Sequence, residues 1–272
     1  MQRLIEKHCD LPRAFRKPLW RFFHYVLSGY DPDRSTVFLN YGYADLCGGT
    51  PDLALAPEEE KDRNSIQLYN QVTRGVSLEN ARVLEVSSGR GGGAAFLARR
   101  HKPAGYIGVE ITSSTVAFCN RRHRVPGLSF ITGNAERIPF PTASFDVVIN
   151  IESARVYPDV GLFFREAARV LKPGGRFLFA DVFKGSQADQ ARLLLAETEF
   201  ETLQETDIRE NVILALRQDS PAKKALIDAR VPDFLRKGFY EISGVVGSNR
   251  FEAFINGDFD YWSFSLRKPG HP

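Results

Sequence analysis

Cysteine is scarce in this chain of 272 residues, and it follows no pattern. Cys9, Cys47 and Cys119 stand at unrelated spacings, which argues against a disulfide framework and against a metal site built on cysteine. With no ligand pattern, no metal is expected. A reducing, cytoplasmic setting is the expectation, because disulfides persist in oxidising compartments. Long apolar runs are missing as well. No stretch approaches the roughly 18 residues that a membrane span requires, so no stable membrane insertion is expected. Arg13, Arg16, Lys17 and Arg21 interrupt the apolar residues near the N-terminus, which leaves no secretory core there. Nor is there an excess of one charge: 36 basic residues against 33 acidic ones leave a net of +3, too little to argue for nucleic acid. Internal repeats and low-complexity linkers are absent.

What is present suits one substantial core with an appended subdomain, since 43% of the residues are apolar. Residues 1–30 mix basic and aromatic side chains and are read as amphipathic helices capping the main domain. Asp31-Pro32-Asp33 is a turn. A helix is expected over 57–76, with Glu58, Glu59 and Glu60 favouring its first turn. From residue 81 the pattern changes to short apolar runs alternating with helical stretches. Strands are expected at Arg82–Val86, 105–109, Leu128–Thr132, Phe145–Ile151 and 176–181, with helices at 92–101, 113–123 and 159–171. Strands alternating with helices imply a parallel sheet covered on both faces. Pro173-Gly174-Gly175 should end the third of these helices and turn into the fifth strand. A helix at 188–196, a strand at 200–207, helices over 209–238 and a last strand at 259–266 complete the pattern.

Between the first strand and its helix lies Glu85-Val86-Ser87-Ser88-Gly89-Arg90-Gly91. Glycines at 89 and 91 let the backbone turn tightly and approach a ligand. The helix start that follows offers free N–H groups and the positive end of a dipole. Glu110 closes the second strand at about the spacing of a ribose ligand. Gly133-Asn134-Ala135-Glu136 closes the third, where a polar side chain and a backbone N–H can read the edge of an adenine. In an open parallel sheet these strand ends share one crevice. Gly89-x-Gly91-x-x-Ala94 also fits a dinucleotide fingerprint, so a nicotinamide enzyme is the competing reading. Glu85 beside the loop counts against a pyrophosphate and suits a sulfonium and an ammonium. The bland alternative is that the glycines merely pack a strand against a helix.

Together these residues resemble a class I S-adenosylmethionine-dependent methyltransferase. Glu85-x-Ser87-x-Gly89-x-Gly91 matches the first motif, with serine where that family's first glycine usually sits. Glu110 matches the acidic ribose ligand. Residues 133–140 match Gly-Asp-Ala-Glu-x-Leu-Pro-Phe, with Asn134 replacing aspartate. Ser144–Val148 and Arg169–Gly175 match the segments around the fourth and fifth strands. The resemblance implies a Rossmann-like, doubly wound α/β fold: a mostly parallel seven-stranded sheet with an antiparallel last strand, carrying N-terminal and C-terminal helical caps. It implies S-adenosyl-L-methionine as cofactor, held by Tyr41, Glu85, Ser87, Gly89, Gly91, Glu110, Ile111, Asn134, Ala135, Glu136 and Asn150. The organisation expected is a cap or lid over 1–75, the cofactor-binding core over 76–208, a helical acceptor lid over 209–258 and the final core strand over 259–272.

A narrower likeness runs nearly end to end. Phe38–Tyr43, Val83–Phe96, Arg122–Leu128 and Asn150–Pro158 are similar to the phthiotriolone and phenolphthiotriolone dimycocerosate methyltransferases, which O-methylate a hydroxyl on a polyketide-derived lipid. The likeness implies an apolar lipid-like or polyketide-like acceptor in secondary metabolism. One departure matters: where those enzymes carry Asn-Val-Glu-x-x-His, this chain reads Asn150-Ile151-Glu152-Ser153-Ala154-Arg155, so a histidine base is missing.

In-line methyl transfer still needs a base for an alcohol's proton. Glu152 is the first candidate and Asp181 the second. Each has a bland counterpart, a structural or cofactor-contacting carboxylate for Glu152 and a cap or turn ligand for Asp181. Arg155 is read either as a holder of an anionic or carbonyl-bearing acceptor or as a solvated arginine. Tyr41 and Tyr43 resemble a lid over the methionine end of the cofactor, and ordinary packing of the cap is the even alternative. Phe234, Phe239, Tyr240 and Phe251 could line an acceptor cavity or be plain core. His24, His101 and His123 are read as structural. Two other activities remain open: transfer to carbon or nitrogen, and a methyltransferase-like scaffold catalysing a step such as cyclisation.

Overall fold

The computed structural model describes residue 31, residues 35–46 and residues 53–270. The expected helices at 1–30, the rest of the turn after Asp31, and Cys9, His24 and Cys47 lie outside the described residues.

Seven strands form one sheet: β1 (Arg82–Val86), β2 (Gly105–Glu110), β3 (Leu128–Thr132), β4 (Phe145–Ile151), β5 (Leu171–Lys184), β6 (Glu201–Asp207) and β7 (Phe259–Arg267). Their order is β3-β2-β1-β4-β5-β7-β6. β1 pairs in parallel with β2 on one side and β4 on the other. The chain therefore reverses its direction of travel through the sheet between β1 and β4, the place where ligands bind in such folds. β7 runs antiparallel to both neighbours, β5 and β6.

Side chains of alternate strand residues enter opposite layers, as the period of two requires. Val83, Tyr106, Val147, Ile149, Leu178 and Tyr261 pack beneath α1 (Arg63–Val72), α2 (Gly92–His101) and α3 (Ser113–Arg122). Leu84, Val86, Val148, Phe177, Phe179 and Phe264 pack on the other face beneath α4 (Val160–Val170) and α5 (Gln187–Ala196). Three further helices, α6 (Arg209–Arg230), α7 (Asp233–Ser243) and α8 (Asn249–Ile255), fill the connection from β6 to β7. Among the described residues no helix is long and apolar enough to cross a membrane.

Two elements differ from the sequence-based expectation. The helix expected over 57–76 is shorter: a single 3-10 turn at Glu60–Asp62 precedes α1. Glu59 takes its own backbone bond to Ala56 and its carboxylate accepts from the Ala56 N–H, which closes a local turn instead of a helix start. The strand expected at 176–181 spans Leu171–Lys184. Leu171 already pairs with Phe145, and Gly174 donates to the carbonyl of Lys268. Pro173-Gly174-Gly175 is thus an irregularity inside the strand, with Gly174 at φ +79°, and α4 ends at Val170.

The joint between α1 and α2 is the tightest in the core. A Cβ added to Gly93 would lie 1.9 Å from the Tyr69 ring. In an isolated helix Gly→Ala gains about 1 kcal/mol. Here Gly93→Ala should instead destabilise the protein by about 1–3 kcal/mol, as overpacking does. Thermal unfolding of the variant measures the sign.

Candidate functional site

The turn after β1 places three residues of five in the left-handed region: Ser87 (φ 58°), Gly89 (φ 53°) and Gly91 (φ 78°). Gly91 caps α2 and lies so close to Phe130 and His123 that a Cβ would meet Phe130 at 2.7 Å. Ser87 occupies a backbone region that L-residues adopt with strain. Its hydroxyl compensates with a 2.6 Å hydrogen bond to the Tyr157 hydroxyl. The loop is anchored to β2 through Ser88 N–H to the Val109 carbonyl, and α2 is tied to the N-terminal segment through Gly92 N–H to the Val37 carbonyl. Arg90 is buried, paired with Asp31 at 2.6 Å and stacked on Phe118. His123 bonds the Arg90 carbonyl at 2.8 Å and serves the loop structurally.

The strand ends converge as expected. One cleft is lined by Ser87, Ser88, Gly89 and Arg90 from the loop, Glu110 and Ile111 at the end of β2, Gly133, Asn134 and Ala135 just after β3, Ile151 at the end of β4, and Glu152, Ser153, Arg155, Val156 and Tyr157 after it. Val37–Asn40 and Tyr69 form its other wall. The cleft opens to solvent on one side.

Other expected cofactor residues stand behind this surface. Glu85 points into the layer beneath α1, where the hydroxyls of Tyr69 (2.9 Å) and Tyr106 (2.7 Å) donate to it. Burial pushes its carboxyl up to about 7, against the pull of those two bonds. Asn150 is fully buried, and its amide donates to the Val86 carbonyl and to the hydroxyls of Ser153 and Tyr157. It pins β4 to β1 beneath the loop. The Glu136 carboxylate accepts the Asp159 N–H at 2.7 Å, at the start of α4. The Asn134 side-chain oxygen accepts the Glu136 N–H at 3.2 Å and shapes the turn after β3. Tyr41 is buried behind the wall formed by Val37–Asn40, and its hydroxyl accepts from Arg250 of α8. Phe251 belongs to the main core, Phe239 and Tyr240 to a small cluster between α6 and α7, and Phe234 is exposed.

The two candidate bases lie side by side. Glu152, directly after β4, adopts φ 55° and is 8% exposed. One of its oxygens, Oε1, accepts from the backbone N–H of Tyr41 at 2.8 Å and from the Tyr261 hydroxyl of β7 at 3.0 Å. The other, Oε2, faces the Arg155 guanidinium at 3.8 Å. Burial pushes the Glu152 carboxyl up to about 7, while Arg155 and the Tyr41 N–H pull it down. Asp181, in β5, is fully buried and accepts from the Arg155 side chain at 2.5 Å, from the Arg155 N–H at 3.0 Å and from the Val182 N–H at 2.8 Å. Glu152 borders the cleft and Asp181 does not. Arg155 is therefore neither a surface arginine nor an open anion receptor, since its guanidinium bridges two carboxylates.

Sequence reading missed Tyr261, Asn40 and Ser88. Tyr261 lies 109 residues from Glu152, and nothing in the alternation of β7 marks it apart from its neighbours. Ser88 and Asn40 line the cleft, and each has a buried side-chain oxygen with no hydrogen-bond partner among the described residues. Buried polar groups require partners, so these atoms together with the Glu110 carboxylate fit a polar, nucleoside-bearing ligand. Among the described residues no group of His, Cys, Asp and Glu is arranged to hold a metal ion.

Comparison with known proteins agrees with this geometry. Residues 84–179 match the family model described as a methyltransferase domain. The chain is 34% identical over 254 residues to the phthiotriol/phenolphthiotriol dimycocerosates methyltransferase of Mycobacterium leprae, covering 93% of each chain. It is 40% identical over 205 residues to the fatty-acid O-methyltransferase of Mycolicibacterium smegmatis, covering 75% of this chain and 74% of that one. The fold aligns with the crystal structure of the cyclase SpnF at a TM-score of 0.72 and 20% identity, covering 93% of this chain and 96% of that one. At that identity the likeness speaks for the fold alone. The matched domain, the relatives and the convergence of glycine loop, Glu110 and Asn134 on one cleft have a single meaning: the chain belongs to the S-adenosylmethionine-dependent methyltransferase family.

Proposed function

We propose that this enzyme methylates a hydroxyl oxygen of an apolar, polyketide-like or lipid-like small molecule. The observation that carries the reading is a buried carboxylate, Glu152, bordering the cofactor cleft with one oxygen not engaged in a short hydrogen bond. Two relatives act, by name, on phthiotriol dimycocerosates and on fatty acids, which supports an apolar acceptor. For the cofactor, Glu110 would hold the ribose, Asn134 and Ala135 the adenine, and Ser87, Gly89 and the start of α2 the amino-acid end. Bound S-adenosylmethionine supplies a methyl group already activated on a sulfonium.

The protein's own task is then positioning and proton removal. Holding the acceptor oxygen near attack geometry provides much of the rate. Glu152 would take the acceptor's proton as the oxygen gains the methyl group that bound S-adenosylmethionine would supply, with S-adenosylhomocysteine as the other product. Val37, Phe38 and Leu39 close one wall of the cleft and keep water, a competing acceptor, out. An aliphatic alcohol needs such a base far more than a phenol or enol does. A carboxylate near 7 is well matched to neutral conditions, where it is half available and still basic. Asp181, pinned by three donors away from the cleft, has the geometry of a support.

Three outcomes are expected. Glu152→Gln should lower kcat on an alcohol acceptor by about 100-fold or more, the contribution of a general base, with S-adenosylhomocysteine affinity by calorimetry nearly unchanged. No S-adenosylhomocysteine released with any hydroxyl acceptor would sink the O-methyl reading and favour the carbon, nitrogen or cyclase alternatives. Glu152 acts as the unprotonated form, so kcat should rise with pH through about 7 and level off above it. Glu110→Ala should weaken S-adenosylhomocysteine roughly 10- to 100-fold, the value of hydrogen bonds to a charged group, as read by calorimetry.

A further inference from the structure

Arg155, after β4, stands beside both buried carboxylates, Glu152 and Asp181, and its contacts are specific. Its backbone N–H and its guanidinium both bind Asp181, so one residue meets both oxygens of that carboxylate. The same guanidinium faces Glu152 Oε2 at 3.8 Å and lies over the Tyr41 ring at 5.9 Å. Its side chain is 13% exposed, so little water screens these charges. An arginine cannot take the acceptor's proton, because it stays charged at any working pH.

Away from the cleft, Glu152 is surrounded by identified groups. Arg155 approaches from the 3-10 turn after β4, Asp181 from β5, the Tyr261 hydroxyl from β7 and the Tyr41 N–H from the N-terminal segment. Tyr69 of α1 lies beyond, with Glu85 bonded to its hydroxyl, and Arg250 of α8 reaches the Tyr41 hydroxyl. Within this shell Arg155 is the cation nearest to Glu152, while Asp181 is a second buried carboxylate. The Asp181 charge pushes the Glu152 carboxyl toward its protonated form and the Arg155 charge opposes it.

We infer that Arg155 is a positioning residue: by neutralising Asp181 and facing Glu152 Oε2, it keeps the base ionised and aimed at the cleft. This inference rests on Glu152 being the base proposed above. It has a sign. Removing the guanidinium leaves Glu152 buried beside an uncompensated Asp181, and both effects favour its protonated form. The acid limb of the rate profile must then move to higher pH, and the loss at neutral pH must be recoverable by raising the pH. A merely structural arginine would scale the whole profile down without moving it.

The test compares pH profiles of kcat for the wild type, Arg155→Met, Arg155→Lys and the double variant Arg155→Met with Asp181→Asn, on one alcohol acceptor. Arg155→Met should move the acid limb up by about one unit or more, the effect of losing an opposite charge at this range, a loss of about fivefold or more at pH 7 that disappears at higher pH. Arg155→Lys should keep the limb near its wild-type place. The double variant should return it toward wild type, because the like charge is gone too. A second readout needs no methyl transfer. Infrared difference spectra of the ligand-free protein across pH should show a carboxyl band that Glu152→Gln removes and whose midpoint rises in Arg155→Met. An unmoved limb and an unmoved band would overturn the inference. If no hydroxyl acceptor is methylated, the kinetic arm falls with the proposed function, and the infrared arm still decides the coupling of Arg155 to Glu152. Should Arg155→Met fail to fold, Arg155→Gln, which also removes the charge, carries the same comparison with the same expected rise.

Discussion

Four carboxylates, Glu85, Glu110, Glu152 and Asp181, are buried in or just after the parallel strands β1, β2, β4 and β5, and the need to satisfy them shapes the rest of the molecule. A buried charge is costly unless it is hydrogen-bonded or paired. Each carboxylate therefore dictates where donors must stand. Glu85 takes the hydroxyls of α1 and β2 residues. Asp181 takes an arginine that folds back from the turn after β4. Glu152 takes donors from the N-terminal segment and from β7. Glu110 accepts the Thr112 N–H of its own turn and keeps a face on the cleft. The result is a sheet whose carboxyl ends are polar, rigid and open on one side.

How far this was legible in the sequence follows from the range of each interaction. The strands of the core and the helices between them are local patterns, and their sequence-based bounds agree with the structure within one or two residues for β1 to β4. Local turn chemistry was less readable. The proline and glycines at 173–175 look like a stop, yet the hydrogen bonds between Gly174, Gly175 and Lys268 keep them within β5. That partner lies far away in sequence, so no local rule could see it. The same holds for the site. The glycine loop, Glu110 and Asn134 are readable because a strand end always meets the crevice. Whether a carboxylate there faces the cleft or the layer beneath depends on strand phase and on bulky partners such as Tyr69, as Glu85 shows.

Strand phase explains the different roles of Glu85 and Glu152 in physical terms. Both are buried glutamates associated with neighbouring parallel strands, and burial pushes both carboxyls up to about 7. Glu85 lies within β1, where the pleat sends it under α1 between two tyrosines. Glu152 follows the last residue of β4, and its left-handed backbone turns the side chain out of the pleat toward the cleft wall. Strain at such positions persists only where surrounding bonds impose it. Here they are the Glu152 N–H to the Ala180 carbonyl, the Tyr41 N–H and the Tyr261 hydroxyl.

Those bonds also join the base to the segments expected to govern the acceptor. Tyr41 holds Glu152 by its backbone and Arg250 by its hydroxyl, and Arg250 belongs to α8 in the connection between β6 and β7. Asp31 makes a parallel link: it binds Arg90 of the glycine loop and Arg230 at the end of α6. The N-terminal segment is thus fastened at residue 31 to the loop and at residue 41 to the base, and at both points to the inserted helices. A displacement of those helices would loosen the donor to Glu152 and the partner of Arg90 together. The inserted helices, Glu152 and the glycine loop share one set of buried polar bonds, so the surroundings of Glu152 are complete only when all three elements are in place.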